Sequence, residues 1–170
     1  TVRRRKPSLA AEMAAAGSSR RAPMRLPRTL SIARQHPRLR LNRRQVERAL
    51  LLVDASPEAL GLAPSAIPAG ELSLVFLTDA ALTRLHADFL DDPTPTDVIT
   101  FEGDSAHGTA GEICVSVDTA AAYAREHRRD FAEELTLYLV HGWLHLAGHD
   151  DLVPEKKRAM RRAEARAMAL

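Results

Sequence analysis

The chain has 170 residues with a formal net charge of +2, and Cys114 is its single cysteine. This length is typical of one domain with its own hydrophobic core. A lone cysteine excludes an internal disulfide, which fits a reducing cytoplasm, and no apolar run has the length of a membrane span. The composition therefore argues against disulfide-stabilised and membrane-spanning proteins.

The charges are distributed unevenly along the chain. Residues 1–50 contain 14 basic residues (Lys or Arg) and two acidic ones (Asp or Glu). Residues 51–152 contain four basic and 18 acidic residues, and residues 153–170 contain six basic and two acidic residues. Basic ends around an acidic middle favour a polyanionic partner held at the periphery, with metal chemistry in the centre. Solvated helix faces with a disordered tail would give the same pattern, so both interpretations stay open.

The N-terminal segment, residues 1–23, is rich in Arg, Ala and Ser and contains one acidic residue. No apolar stretch follows its basic cluster, so it is not a secretory signal, although its composition resembles an organellar transit peptide. We interpret residues 1–23 as a disordered basic extension. The domain itself is expected to start at Met24 and to run over residues 24–170.

The first half of the domain is predicted to alternate strands and helices. A strand is expected over residues 29–34, and a helix over residues 42–53 begins at an asparagine suited to the N-cap. Prolines and glycines mark residues 55–70 as a linker. Residues 71–77 then form a buried strand. Thr78 or Asp79 is the predicted N-cap of the next helix. Its core face is expected to contain Leu82, Leu85, His86 and Phe89.

The second half begins with two short strands, expected over residues 98–101 and 112–117. Asp118 or Thr119 is the predicted N-cap of the following helix. Asp130 begins a longer helix, and Pro154 marks the start of the last one. The order β-α-β-α-β-β-α-α-α predicts an α+β fold, in which a single small sheet of about four strands is packed with helices.

Residues 141–151 (HGWLHLAGHDD) contain the clearest chemical motif. His141 and His145 are four residues apart, so they project from one face of a helix and both imidazoles can reach one metal ion. Gly148 favours the left-handed conformation that ends a helix and turns the chain back. Asp151 can then return to the same ion as the third ligand. This spacing is that of the metzincin helix and turn.

The motif departs from a protease at one position. Zincins carry a glutamate directly after the first histidine as general base, and this chain has Gly142 there. The sequence therefore predicts a metal site without the peptidase base. His149 is the alternative third ligand, but it would serve only if the helix ran unbroken through Gly148. We therefore favour Asp151.

The same stretch resembles the signature of the YbeY family, the bacterial endoribonucleases of ribosomal RNA maturation. That signature reads His-Gly-x-Leu-His-Leu-x-Gly-Tyr-Asp-His. The chain matches it over residues 141–148 and at Asp150. It departs at His149, where tyrosine is usual, and at Asp151, where the family has its third histidine ligand.

A second match lies upstream of the metal motif. Residues 95–101 (PTDVITF) are similar to the family's Pro-Thr-Asp-Val-Leu-Ser-Phe. Thr96 and Asp97 within it have short polar side chains that often satisfy backbone groups in a turn. We therefore favour a structural role. In the family this strand borders the active cleft, so substrate binding by both residues is the alternative that the resemblance adds. The family's arginine six residues before Thr96 is replaced by Leu90, so its RNA contacts do not transfer directly.

The resemblance implies a zincin-like arrangement with a mixed sheet and one Zn²⁺ per chain. His141, His145 and Asp151 would hold this ion and act as the catalytic residues through it. The implied function is a single-strand-specific, zinc-dependent endoribonuclease of 16S rRNA 3′-end maturation and ribosome quality control. Its partners would be ribosomal RNA and the small ribosomal subunit in the bacterial cytoplasm, with organellar targeting as a minor alternative.

Two other functions stay open. A zincin-like metallohydrolase of another substrate, including a peptidase, would need a base from elsewhere in the chain. Glu133 and Glu134 are the nearest acids in sequence, and both are expected to be solvated. A ribosome assembly factor with a structural metal would need no base. The sequence does not determine the oligomeric state.

Overall fold

The structure is a computed structural model that describes residues 2–3 and 28–170. Val2–Arg3 form a short strand, and the rest of the predicted basic extension lies outside the described residues. Within the described part of the chain, no helix is long and apolar enough to cross a membrane.

Five strands form one mixed sheet in the order β1-β4-β5-β3-β2. The strands are β1 (Val2–Arg3), β2 (Thr29–Arg34), β3 (Glu71–Leu77), β4 (Val98–Glu102) and β5 (Thr109–Ser116). The pairs β1/β4, β2/β3 and β3/β5 are parallel, whereas β4 and β5 are antiparallel. This confirms the α+β prediction of a mixed sheet with about four strands, to which the two-residue β1 is added. The last strand begins at Thr109, three residues before its predicted start.

Five α-helices pack on this sheet. They are α1 (Arg43–Asp54), α2 (Asp79–Leu90), α3 (Val117–His127), α4 (Phe131–Leu146) and α5 (Pro154–Ala167). Asn42 was the predicted N-cap of α1 and Thr78 one of the two candidates for α2, and both accept a hydrogen bond from a backbone N–H of the first turn. Asp130, where the longer helix was predicted to begin, caps α4 in the same way. Such caps satisfy donors that have no partner inside the helix. The linker after α1 contains two short 3₁₀ turns, Glu58–Leu60 and Pro64–Ala66.

The predicted N-cap of α3 is wrong. Ser116 caps this helix by accepting a hydrogen bond from the backbone N–H of Thr119 at 3.0 Å. Asp118 instead accepts a bond from the backbone N–H of Asp79 at 3.1 Å and lies 3.0 Å from a ring nitrogen of His36. Asp79 in turn accepts a bond from the Thr119 hydroxyl at 2.7 Å. The starts of α2 and α3 are thus joined by reciprocal contacts between carboxylates and helix termini.

The sheet is covered on both faces. On one face α2 contributes Leu82, which is fully buried against Val75 and Ile99. The other face carries the larger core, in which side chains of the sheet meet α1, α3, α4 and α5. Each large apolar side chain buried in this way contributes roughly 1.5–3 kcal/mol. Phe89 was predicted to belong to the core, and this prediction is wrong because the residue is 52% exposed. Its ring packs edge-on against Phe101, with 5.4 Å between the ring centroids.

Helix α4 lies very close to β4 and β5, and Gly142 permits this approach. A Cβ at this position would lie 2.6 Å from Cγ2 of Ile113 and 3.1 Å from Cγ2 of Thr100. The residue after the first histidine therefore faces the sheet, where a glutamate has no room. This contact gives a packing reason for the missing zincin base.

A second contact fixes α4 from the side of α1. The indole Nε1–H of Trp143 donates a hydrogen bond to Oδ1 of Asp54 at 2.8 Å. The Asp54 carboxylate also accepts two bonds from the Arg28 guanidinium, at 2.6 and 3.0 Å. Trp143 is 1% exposed and the two charged side chains are nearly buried. The helix that carries both motif histidines is thus held in one position.

Candidate metal centre

The end of α4 turns the chain as the sequence predicts. Gly148 has a φ of 98°, and its N–H donates to the carbonyl of His145 at 3.0 Å. The N–H of His149 donates to the carbonyl of Leu144 at 2.9 Å. These two bonds form a Schellman motif, the arrangement that a left-handed glycine after a helix allows. The turn brings Asp151 back towards the histidine face of α4.

Three side chains meet at this end of the helix. His141, His145 and Asp151 each offer one ligand atom, and these atoms all lie within 4.8 Å of one another. The two Nε2 atoms are 3.0 Å apart. The carboxylate oxygens of Asp151 lie 4.0 Å from Nε2 of His141 and 3.7 Å from Nε2 of His145. The structure therefore brings together the three residues that the sequence singled out, and their assignment as ligands stays a prediction.

Partners of the other ring nitrogens orient both imidazoles. Nδ1 of His141 lies 2.6 Å from Oε1 of Glu164, and Nδ1 of His145 lies 3.1 Å from the backbone carbonyl of His149. Both partners are acceptors, so each Nδ1 carries the proton and each Nε2 presents a lone pair. Contacts of this kind fix the tautomer and ring orientation of histidine ligands.

These residues fit a divalent metal ion. The two Nε2 lone pairs and the Asp151 carboxylate converge on the same small space. These electron-rich groups repel one another, and a cation bound between them would remove the repulsion. Tetrahedral ligands at 2.0–2.1 Å from zinc are roughly 3.3 Å apart, close to the observed separation of the imidazoles. Burial, followed by the neighbouring His141, lowers the pKa of His145, which favours the neutral ring that binds metal.

His149 has a different environment. Its backbone carbonyl orients His145, whereas its own Nε2 is buried and makes no hydrogen bond within residues 28–170. Burial lowers the pKa of this side chain, so the neutral form is favoured. Among the described residues, the group with converging ligand atoms contains Asp151 and not His149.

A cleft of about 580 Å³ opens beside the three side chains. Its lining comes from α3, α4, α5, the loop before β4 and the turn between α4 and α5. The lining residues are Pro95, Thr96, Asp97, Thr119, Tyr123, Glu134, Leu137, Tyr138, His141, Asp151, Lys157, Met160, Arg161 and Glu164. Thr96 and Asp97 thus lie in the cleft, and their role in substrate binding remains a prediction. A separate, mainly apolar cavity of about 460 Å³ between α1 and α4 contains none of the predicted site residues.

Sequence reasoning missed three residues of this cleft. Glu164 holds His141 from α5, and Tyr138 lines the cleft one turn before His141. Glu134 was expected to be solvated but is only 4% exposed, with Arg129 at 3.4 Å. Glu134, Tyr138 and His141 are spaced at i, i+4 and i+7, which places them on one helix face. This spacing could have predicted that Glu134 and Tyr138 lie on the same side of α4 as the motif histidine.

The structure contains no competing thiol nucleophile in the cleft. Cys114 lies in β5, is 1% exposed and packs in the smaller core beneath α2. Burial, followed by the nearby Glu112 carboxylate, raises the pKa of this thiol far above its usual range. A thiol in this environment stays protonated and acts as a small apolar side chain.

Comparison with known proteins adds independent evidence. A family described as Endoribonuclease YbeY matches residues 33–170. The Endoribonuclease YbeY of Protochlamydia amoebophila is 45% identical over 102 residues, which cover 58% of this chain and 68% of that protein. The Endoribonuclease YbeY of Salinibacter ruber is 34% identical over 152 residues, covering 84% of this chain and 91% of that protein.

The fold has also been observed experimentally in another protein. The solution structure of a protein from Thermotoga maritima matches with a TM-score of 0.52 and 21% sequence identity. The match covers 83% of this chain and 90% of the Thermotoga chain. This similarity supports the fold alone.

Proposed function

Because the chain belongs to the Endoribonuclease YbeY family, we propose that it is a zinc-dependent endoribonuclease that hydrolyses phosphodiester bonds in single-stranded RNA. The observation that carries this proposal is the convergence of His141, His145 and Asp151 at the end of an open cleft. Two imidazoles and one carboxylate are a ligand set typical of catalytic zinc, with a further coordination position left open. Bound there, zinc supplies the Lewis acidity that activates water and offsets charge on a phosphate.

The protein's own groups prepare this site. Glu164 keeps the proton of His141 on Nδ1, and the His149 carbonyl does the same for His145. Tyr138 lines the cleft, and burial raises the pKa of its phenol well above the usual range, so its hydroxyl stays a hydrogen-bond donor. Asp97, Tyr138 and His141 all line the cleft. We propose that the scissile phosphate binds in the space that these three side chains border.

We further propose that the substrate is the 3′ end of 16S rRNA and that the small ribosomal subunit is the partner. Family membership supports this part of the proposal. Co-sedimentation with purified subunits tests it. Binding that survives His145→Ala, without RNA cleavage by the wild type, would favour an assembly factor with a structural metal.

Cleavage assays with purified protein test the enzymatic proposal. The protein should nick an unstructured RNA oligonucleotide, leave a duplex of the same sequence intact and lose activity with a chelator. Zinc should restore the activity, and His145→Ala should abolish it. Nicking that resists both the chelator and this substitution would contradict the proposal.

Unfolded casein serves as the control substrate in this test. Glu133 and Glu134 were considered as replacements for the missing zincin base, and of these two Glu134 is the one that is buried and lines the cleft. It already lies beside Arg129, and Gly142 packs against the sheet, so we expect no casein degradation. Degradation that disappears in Glu134→Gln would instead favour the peptidase alternative.

A further inference from the structure

Two cations of α5 line the cleft beside the metal centre. Lys157 and Arg161 are four residues apart, so their side chains leave the same face of the helix. Both belong to the lining of the cleft, together with His141 and Asp151. Their position on the wall of the cleft distinguishes them from the other basic residues of α5.

Neither cation has an anionic partner in the described part of the chain. Within residues 28–170, Lys157 and Arg161 make no side-chain hydrogen bond or ion pair. The basic neighbours in sequence do have partners, since Lys156 lies 2.7 Å from Asp150 and Arg158 lies 3.1 Å from Glu155. Like charges at i and i+4 repel each other on a helix. Within the described residues, the two positive charges in the cleft lining are therefore not compensated by a nearby carboxylate.

The acidic residues of the cleft do not neutralise this pair. Glu164 lies against His141, and Glu134 lies beside Arg129. Asp97 accepts a hydrogen bond from the backbone N–H of Val98 at 2.9 Å. Asp151 belongs to the candidate metal centre. Among the described residues, no carboxylate pairs with Lys157 or Arg161, so both positive charges remain available to a ligand.

Another part of the cleft lining is different. It is formed by α3, which contributes Thr119 and Tyr123 and no cation. The Tyr123 ring is stacked on His127 with 3.8 Å between the ring centroids. The Arg129 guanidinium lies 5.9 Å from the centroid of the Tyr123 ring, but it is paired with Glu134. Within the described residues, the unpaired cations of the cleft lining are thus on α5, and these attract a phosphate backbone.

We propose that Lys157 and Arg161 bind the phosphate backbone of the RNA substrate and direct the strand along α5 past the metal centre. This inference rests on the proposed function and names the residues that hold its substrate. An Arg guanidinium binds phosphate oxygens through two parallel hydrogen bonds, and a Lys ammonium acts as a point charge. The pair therefore serves as a positioning element for the strand.

Paired charge-removing variants of the zinc-loaded full chain test this inference. Lys157→Gln/Arg161→Gln removes the cleft pair. Arg158→Gln/Arg162→Gln removes two charges with the same spacing on the same helix, outside the cleft lining. Affinity for a labelled 12-nucleotide single-stranded RNA is measured over a range of salt concentrations, together with zinc content, melting temperature and cleavage rate.

The cleft variant should bind RNA about tenfold more weakly and reduce the slope of log affinity against log salt by about 1.4, because each phosphate contact contributes about 0.7 for single strands. The control should retain affinity within about twofold, and both variants should keep the wild-type zinc content.

Equal losses of affinity in both variants would overturn the inference. If the wild type still cleaves RNA in that case, the proposed function stands. Weaker binding by the cleft variant alone, without cleavage by the wild type, would support the inference and refute the function. A wild type that does not bind RNA would refute both.

Discussion

Nδ1 of His141 donates a hydrogen bond to Glu164 across 2.6 Å, which joins the last helix to the first predicted metal ligand. The carboxylate is only 17% exposed, so water does not easily replace it. A carboxylate behind a histidine ligand fixes the ring and increases its basicity. Helix α5 is therefore part of the candidate metal centre although it supplies no predicted ligand.

Glu164→Ala should lower zinc affinity by about 10–100-fold, as the loss of such an orienting partner does in other metal sites. Competition with a chelating dye measures the change. Glu155→Ala is the matched control, because Glu155 is the other acidic residue of α5 and pairs with Arg158 at the surface. Equal zinc affinity in both variants would show that Glu164 does not support the site.

The third ligand can be identified by substituting the two candidates separately. Asp151→Ala should lose zinc far more readily than His149→Ala, because His149 contacts His145 through its backbone carbonyl, which the substitution retains. Asp151→His should regain zinc binding, since imidazole is an equally suitable ligand. Metal analysis after dialysis gives the comparison. Loss of zinc in His149→Ala with full occupancy in Asp151→Ala would reverse the assignment.

Gly142→Ala should destabilise the fold by about 1–3 kcal/mol, the usual cost of overpacking a core. The added methyl group would lie 2.6 Å from Cγ2 of Ile113, and the backbone of α4 has to move to avoid it. Urea denaturation measures the effect. In Gly142→Ala/Ile113→Ala the two destabilisations should be less than additive, because the second change makes room for the first. Strict additivity would mean that the helix and sheet do not touch at this position.

Asp118 should make stability depend on pH in acid. The N–H of Asp79, followed by His36, holds the pKa of this carboxyl below its usual value. The resulting stabilisation is fully present above the unfolded pKa of about 3.9 and is lost as pH falls through the lower folded pKa. Asp118→Asn should therefore be less stable than wild type at pH 7, and the difference should shrink below about pH 4.

Chemical denaturation at a series of pH values follows this difference. Asp88→Asn is a suitable control, because this exposed residue of α2 makes no side-chain hydrogen bond or ion pair within the described part of the chain. It should follow the wild type throughout. A constant difference between Asp118→Asn and wild type from pH 7 to pH 3 would contradict the proposed role of the contact with Asp79.

Local rules predicted much of this fold and most of the metal cluster. The period of α4 places His141 and His145 on one face, and Gly148 stops the helix where the predicted turn requires it. These relationships span only 11 residues, so they are contained in the sequence pattern. The residues that cap α1, α2 and α4 could be located from the sequence for the same reason, because a cap bonds to N–H groups of the adjacent helical turn.

The features that could not be predicted depend on contacts between distant parts of the chain. Glu164 reaches His141 only because α5 packs along α4, and Glu134 is buried because three helices enclose the cleft. Asp118 was predicted as a cap for its own helix, but its carboxylate binds the start of α2. Propensity describes what a residue can do locally, and tertiary packing decides between the available partners.

The most direct test measures RNA cleavage as a function of zinc bound per chain. Metal-free protein is titrated with zinc, and the initial rate of nicking of a single-stranded RNA is recorded beside the bound metal. Activity should rise in proportion to occupancy and saturate at one zinc per chain, and His141→Ala, His145→Ala and Asp151→Ala should each lose both metal and activity. Full RNA cleavage by protein without metal, or by a variant that cannot bind it, would contradict the assignment of this cluster as the catalytic centre.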